Sequence, residues 1–304
     1  MKKVGLILLT LMLSATLAAC GGDKKEEGAN TNQTPTNTAT EAPTNAGTDT
    51  GTAEAELKDG AYYAEGTVDE KSGWQYVVAL KVENGKITNV NWNGLNKNGG
   101  LDKKALSESG EYGMVEKGKA VAEWHEQAAT MEQFVIDKQS VADIAVNEEG
   151  KTDAVSGVSI TVSDFAKLVD DALKAGPVEA GAYKDGHYKA EAADFDEKSG
   201  WKATVDVTVM NGKIAAVRWN GVHKDGGTDK VTRSTAGEYG MKEHGKAVAE
   251  WHEQAALAEK FLLEKQDPAA IAIGDGGKTD AISGVTIAVS EFTELASKAL
   301  EGAK

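Results

Sequence analysis

Lys151-Thr152-Asp153-Ala154-Val155-Ser156-Gly157-Val158-Ser159-Ile160-Thr161 returns later in the chain as Lys278-Thr279-Asp280-Ala281-Ile282-Ser283-Gly284-Val285-Thr286-Ile287-Ala288. Each copy sets a Ser-Gly pair two residues ahead of a hydroxyl side chain, with an aspartate six residues upstream of that hydroxyl. Ser159 and Thr286 lie 127 residues apart, and the flanking sequence repeats at the same interval. A self-similarity this long means two copies of one folding unit.

Outward from the motif, Gly118 to Ala129 recurs unchanged as Gly245 to Ala256, and Glu111-Tyr112-Gly113-Met114 as Glu238-Tyr239-Gly240-Met241. Val121, Trp124, Ala128, Met131 and Val135 are spaced as one apolar helix face, ending near Lys138. Upstream, Val78, Leu80 and Val82 alternate as a strand, then Asn84-Gly85 marks a two-residue hairpin. The return strand carries Ile87, Val90 and Trp92, whose slipped phase predicts a β-bulge. Val205, Val207 and Val209, then Asn211-Gly212, then Ile214, Val217 and Trp219 repeat the pattern. After the motif, Ser163 is the expected N-cap of a second helix, with Asp164 in its first turn. Phe165, Leu168, Val169 and Leu173 form its apolar face, echoed by Phe292, Leu295 and Leu300. Each unit thus reads hairpin, loop, helix, motif, helix. The fold class is α+β with a mostly antiparallel sheet.

The units span 58–176 and 184–304, joined by a linker at 177–183. Residues 1–19 read as a secretory leader: Lys2 and Lys3, an apolar run from Val4 to Leu13, then Leu17-Ala18-Ala19-Cys20. That ending resembles a bacterial lipobox, which implies cleavage before Cys20 and a lipid on its thiol. Residues 20–57 are rich in Thr, Asn, Ala, Gly, Pro and Glu without an aromatic, a composition expected to be a disordered tether. Cys20 is the one cysteine of the 304 residues. Disulfides, cysteine-ligated zinc, iron–sulfur clusters and a C-x-x-C-H haem site are therefore excluded within the chain. The net charge of −15 disfavours nucleic acid.

Asp153-Ala-Val-Ser156-Gly157-Val-Ser159 and Asp280-Ala-Ile-Ser283-Gly284-Val-Thr286 resemble the Asp-x-x-Ser-Gly-Ala-Thr signature of FMN-binding domains modified by an ApbE-type flavin transferase. The opening Asp59-Gly60 and Asp185-Gly186, and the Asn-Gly-Lys-Ile hairpins, follow that family's order. With the lipobox, tether and double unit, the chain is similar to the flavinylated lipoproteins of Gram-positive extracellular electron transfer. The resemblance implies covalent FMN, up to two per chain, joined through phosphoester bonds at Thr286 and at Ser159. Val158 and Val285 stand where the family has Ala. Ser159 stands where it has Thr, which leaves Thr161 or a single modification open. Ser156, Gly157, Ser283 and Gly284 complete the cofactor site. Asp153 and Asp280 are expected to help the transferase recognise it. The resemblance implies electrons from a membrane quinone-linked donor passing to extracellular acceptors such as ferric iron or free flavin, on a protein lipid-anchored at the outer face of the cell membrane.

Trp124 and Trp251 fit helix core positions, while His125 and His252 remain open as flavin neighbours. His125-Glu126 begins like H-E-x-x-H, but Ala129 holds the second ligand position, and Ala256 does so in the second copy, which removes a zinc protease. Gly157-Val-Ser159-Ile-Thr161 lacks the second glycine of a nucleophile elbow. No catalytic residue and no metal site is expected. The rival class is a cofactor-free duplicated binding lipoprotein or adhesin, for which both hydroxyls would be dispensable.

Overall fold

The computed structural model describes residues 56–304, which belong to one compact unit. The leader, Cys20 and nearly all of the tether fall outside the described residues. Two three-stranded sheets are present, ordered β1-β2-β3 and β4-β5-β6, with every pairing antiparallel. In the first repeat β1 (Gly60–Glu65), β2 (Trp74–Glu83) and β3 (Lys86–Asn96) form a meander. It is followed by α1 (Lys103–Glu108), α2 (Met114–Gly118), α3 (Trp124–Lys138) and α4 (Ser163–Ala175). The second repeat has β4 (Gly186–Glu191), β5 (Trp201–Met210), β6 (Lys213–His223), α5 (Lys230–Thr235), α6 (Trp251–Lys265) and α7 (Ser290–Glu301).

Asn84 and Gly85 both have positive φ, 54° and 71°. That is the backbone a type I′ hairpin needs, and it matches the strand twist. The register then shifts between Lys81 and Val82, where Asn89 and Ile87 are their partners. Thr88 is the bulged residue, as the slipped apolar phase predicts. One face of each sheet carries Val78, Leu80, Val82 and Trp92, or Val205, Val207, Val209 and Trp219, onto its own pair of long helices.

β3 and β6 are edge strands, and the helices cover their free backbone groups. Gln139 accepts the Ile87 N–H at 2.8 Å and donates to the Ile87 carbonyl at 2.9 Å. Glu132 of α3 accepts the Trp92 N–H at 2.6 Å. Gln266 and Glu259 do the same for Ile214 and Trp219. An edge covered this way does not template pairing with another chain.

Two expected details differ. Val121 lies outside α3 and is 76 % exposed. The helix starts at Trp124 because Glu123 and Glu126 close a reciprocal capping box there. Ser163 is the first helical residue rather than the cap; Val162 precedes it, and the Gly150 carbonyl accepts the N–H groups of both Val162 and Ser163. The short helices α1, α2 and α5 fall in stretches that lack a period long enough to read.

The back faces of the two sheets meet. Val77 and Ala79 of β2 pack with Met210 of β5, flanked by Tyr63, Leu95 and Ala215. Thr208 donates its hydroxyl to buried Asp102. Arg218 bonds both carboxylate oxygens of Glu111, at 2.9 and 3.0 Å. The segment between the repeats is held at both ends: the Val178 N–H bonds the Ala61 carbonyl, and the Gly181 N–H bonds the Asn211 carbonyl.

Candidate functional site

The motif hydroxyls are exposed, but their backbone is fixed from below. Gln127 of α3 is buried, and its amide oxygen accepts three donors: the Ser159 N–H at 2.7 Å, the Ile160 N–H at 3.2 Å and the Ser159 hydroxyl at 3.3 Å. Its amide nitrogen donates to the Ala122 carbonyl at 2.8 Å, so the side chain cannot rotate without losing that bond. Gln254 repeats the arrangement with Thr286, at 2.7 Å to the N–H and 3.2 Å to the hydroxyl, and with the Ile287 N–H at 3.3 Å. These glutamines lie inside the unchanged twelve-residue repeat. The identity of that segment was the available signal for them, though the motif alone does not point to helix residues 32 positions away.

Ser156, Gly157, Ser283, Gly284, Asp153 and Asp280 are all exposed, around the hydroxyls rather than under them. Gly157 has φ of 82°, and an added Cβ would meet nothing within 4 Å. The glycine is therefore required by backbone conformation, not by a close neighbour. His125 and His252 turn elsewhere. The Nδ1 of His125 is 2.9 Å from the Ser107 hydroxyl on α1, and the Nδ1 of His252 is 2.8 Å from that of Ser234 on α5. Their hydrogen bonds tie short helix to long helix, and none reaches the motif. Trp124 and Trp251 are core residues, 2 % and 4 % exposed.

A cleft of about 660 Å³ opens beside the first motif. Thr161, two residues beyond Ser159, forms part of its wall, with Trp74, Tyr76, Tyr112, Asp164 and Lys103. A second cleft of about 420 Å³ has Ala288, Trp201, Ala203, Glu291 and Lys230 in the places of Thr161, Trp74, Tyr76, Asp164 and Lys103, and Trp219 also lines it. Both volumes fall in the range of roughly 300–1,000 Å³ usual for small-ligand sites. The Nζ of Lys103 lies 4.7 to 5.4 Å from the ring centres of Trp74, Tyr76, Tyr112 and Trp124. The Nζ of Lys230 lies 4.6 to 5.8 Å from Trp201, Tyr239 and Trp251. Burial lowers both ammonium groups to a pKa of about 8. Neither cleft lysine, nor Tyr76, Tyr112 or Tyr239 beside them, stands out in the sequence as a site residue.

Two observations bear on whether a planar cofactor fits. Each cleft combines aromatic faces with one cation. In addition, the indole N–H groups of Trp92 and Trp219 are buried without a hydrogen-bond partner, and Trp219 lines its cleft. The aromatic faces and the cation of each cleft suit a planar aromatic ligand, while the two indole N–H groups lie below the surface. Among the described residues no cluster of three or more His, Cys, Asp or Glu is placed to hold a metal ion, and no helix is long and apolar enough to cross a membrane.

No protein-family profile matches the chain, and no curated protein does. Two solved structures are similar in sequence. One is a solution structure of a Clostridium thermocellum protein, 59 % identical, covering 39 % of this chain and 91 % of that one, with a TM-score of 0.32. The other is a crystal structure of a Clostridium perfringens protein, 30 % identical, covering 40 % of this chain and 88 % of that one, also with a TM-score of 0.32. Both are structural-genomics targets whose descriptions name no activity.

Proposed function

We propose that this chain is an exported, lipid-anchored electron carrier that holds FMN by phosphoester bonds at Thr286 and Ser159. Cys20 would carry the lipid. The observation that carries the reading is the paired presentation of the two hydroxyls. Each is exposed to a modifying enzyme, each sits on a backbone gripped by a buried glutamine, and each adjoins an aromatic cleft bearing one lysine.

The division of labour follows from position. Ser159 and Thr286 supply the ester oxygen. Gln127 and Gln254 hold the backbone that carries that oxygen at one place relative to the helix. Asp153 and Asp280, exposed and six residues ahead of the hydroxyl, would serve recognition by a flavin transferase. Two residues of extended chain span at most about 7 Å, so the Cα of Thr161 or Ala288 on the cleft wall lies within that distance of the linked residue. The five-carbon arm of a bound FMN would be long enough to let its ring reach the cleft. The bound flavin would supply the redox chemistry, and the protein its orientation and electrostatics. The donor is proposed to be quinone-linked and in the membrane, and the acceptors extracellular, such as ferric iron or free flavin.

Intact mass and visible absorbance, measured on protein co-expressed with an ApbE-type transferase and exported, test the proposal. The expected result is a gain of two FMN-phosphoester masses, one lost in Thr286→Ala and the other in Ser159→Ala. A second mass that survives Ser159→Ala but is lost in Thr161→Ala would move the first attachment point. A colourless protein of unmodified mass, made beside an active transferase, would replace the carrier reading with a cofactor-free binding lipoprotein.

A further inference from the structure

The two clefts are not equivalent, and the difference lies in how each lysine is held. In the first repeat the Lys103 Nζ donates to the Tyr76 hydroxyl at 2.7 Å, surrounded by four rings, and the residue is 5 % exposed. The position of Tyr76 is taken in the second repeat by Ala203, which lines the cleft beside Lys230. Among the described residues Lys230 has no hydrogen bond and no ion pair, and it is only half-buried. The charged groups that face it are Glu291, on the cleft wall, and Asp196, at the cleft mouth.

Resting on the carrier reading above, we infer that Lys230 contacts the electron-rich edge of the second flavin and makes it the higher-potential of the two, while Lys103, engaged by Tyr76, leaves the first flavin lower. Electrons would then run from the Ser159 side to the Thr286 side. The charge balance gives the reason. A quinol-class donor releases two electrons and two protons. The ring keeps both electrons and one proton, the other proton goes to solvent, and the ring gains one negative charge. An ammonium free to donate a hydrogen bond to the ring's anionic edge stabilises that charge more than one whose N–H is already given to Tyr76.

The test uses the transferase-loaded full chain in two single-flavin forms, Ser159→Ala and Thr286→Ala, each first checked by intact mass. Spectroelectrochemical titration at neutral pH then gives each midpoint potential. The Thr286-linked flavin should be the higher. Lys230→Gln should lower it by about 30 mV, the equivalent of a tenfold weaker hold on the two-electron reduced form. Tyr76→Phe, a change that keeps the ring and frees Lys103, should raise the Ser159-linked potential. Flavin mass present with equal potentials, or with both variants unshifted, overturns the inference and leaves the carrier reading standing. No flavin mass in either form overturns both.

Discussion

Glu259 and Glu132 occupy the same place in the two repeats and live in different electrostatic conditions. Glu132 accepts the Trp92 N–H and also pairs with Lys104 at 2.7 Å. Residue 231 is Val in the second repeat, so Glu259 keeps the Trp219 N–H and loses the lysine. Burial pushes its carboxyl up to about 7. A group whose folded pKa lies above its unfolded value adds stability that is complete below the unfolded value, about 4.5, and is lost as pH rises through the folded one. Stability should therefore fall between about pH 4.5 and 7, by roughly 3 kcal/mol at most from this one group. Glu259→Gln should flatten that part of the profile in thermal melts against pH. A variant and parent that melt in parallel across the window would show that Glu259 stays ionised. The duplicated hydroxyls are legible in sequence because a motif repeated at one interval is visible without a structure. The contacts of Gln127, Gln254, Lys103 and Lys230 are not, because they depend on which helix face and which ring lie opposite, and no local pattern encodes that.

At the scale of elements, the strands and long helices were legible because Asn-Gly turns and alternating valines leave few alternatives. The start of α3 was not, since a valine in phase with the helix was overruled by a capping box three residues later. The entry to α4 depends on a glycine for reasons of space. Gly150 has φ of 72°, and a Cβ there would lie 2.6 Å from the Ser163 hydroxyl; at Gly277 the corresponding gap, to Ser290, is 2.5 Å. Gly277→Ala should cost about 1–3 kcal/mol, from left-handed strain and from displacing the helix start. Gly157→Ala, strained but in open space, should cost about 1 kcal/mol. Urea unfolding of the two variants measures the difference, and equal losses would show that the contact with Ser290 relaxes freely.

Over the whole molecule, the duplication that was plain in sequence gave no hint of how the copies meet. Each contact that joins them has at least one partner that breaks the repeat. Met210 stands where the first copy has Glu83, and Arg218 where it has Asn91. Asp102 and Asp229 both cap a short helix, but the second oxygen of Asp102 turns to Thr208 while that of Asp229 stays with Thr232. Met210→Asp would bury a charge against Val77 and Ala79 without touching either main core. It should split unfolding into two transitions and expose the Pro177–Gly181 segment to protease. One cooperative transition, unchanged in position, would mean that the back-to-back contact contributes nothing to holding the copies together.

The grip of Gln127 on Ser159 also fixes an order of events. Of the three hydrogen bonds its amide oxygen receives, two come from backbone N–H groups and only the longest from the hydroxyl. Esterifying that hydroxyl removes its proton and with it the 3.3 Å bond, while both backbone bonds survive. On the carrier reading, those two bonds would keep the loop in one shape before and after loading. The chain would cross the membrane and fold colourless, then be charged with cofactor as a finished scaffold. Maturation would need no chaperone to reopen it, and a cell short of flavin would keep a stock of folded carriers waiting at its surface.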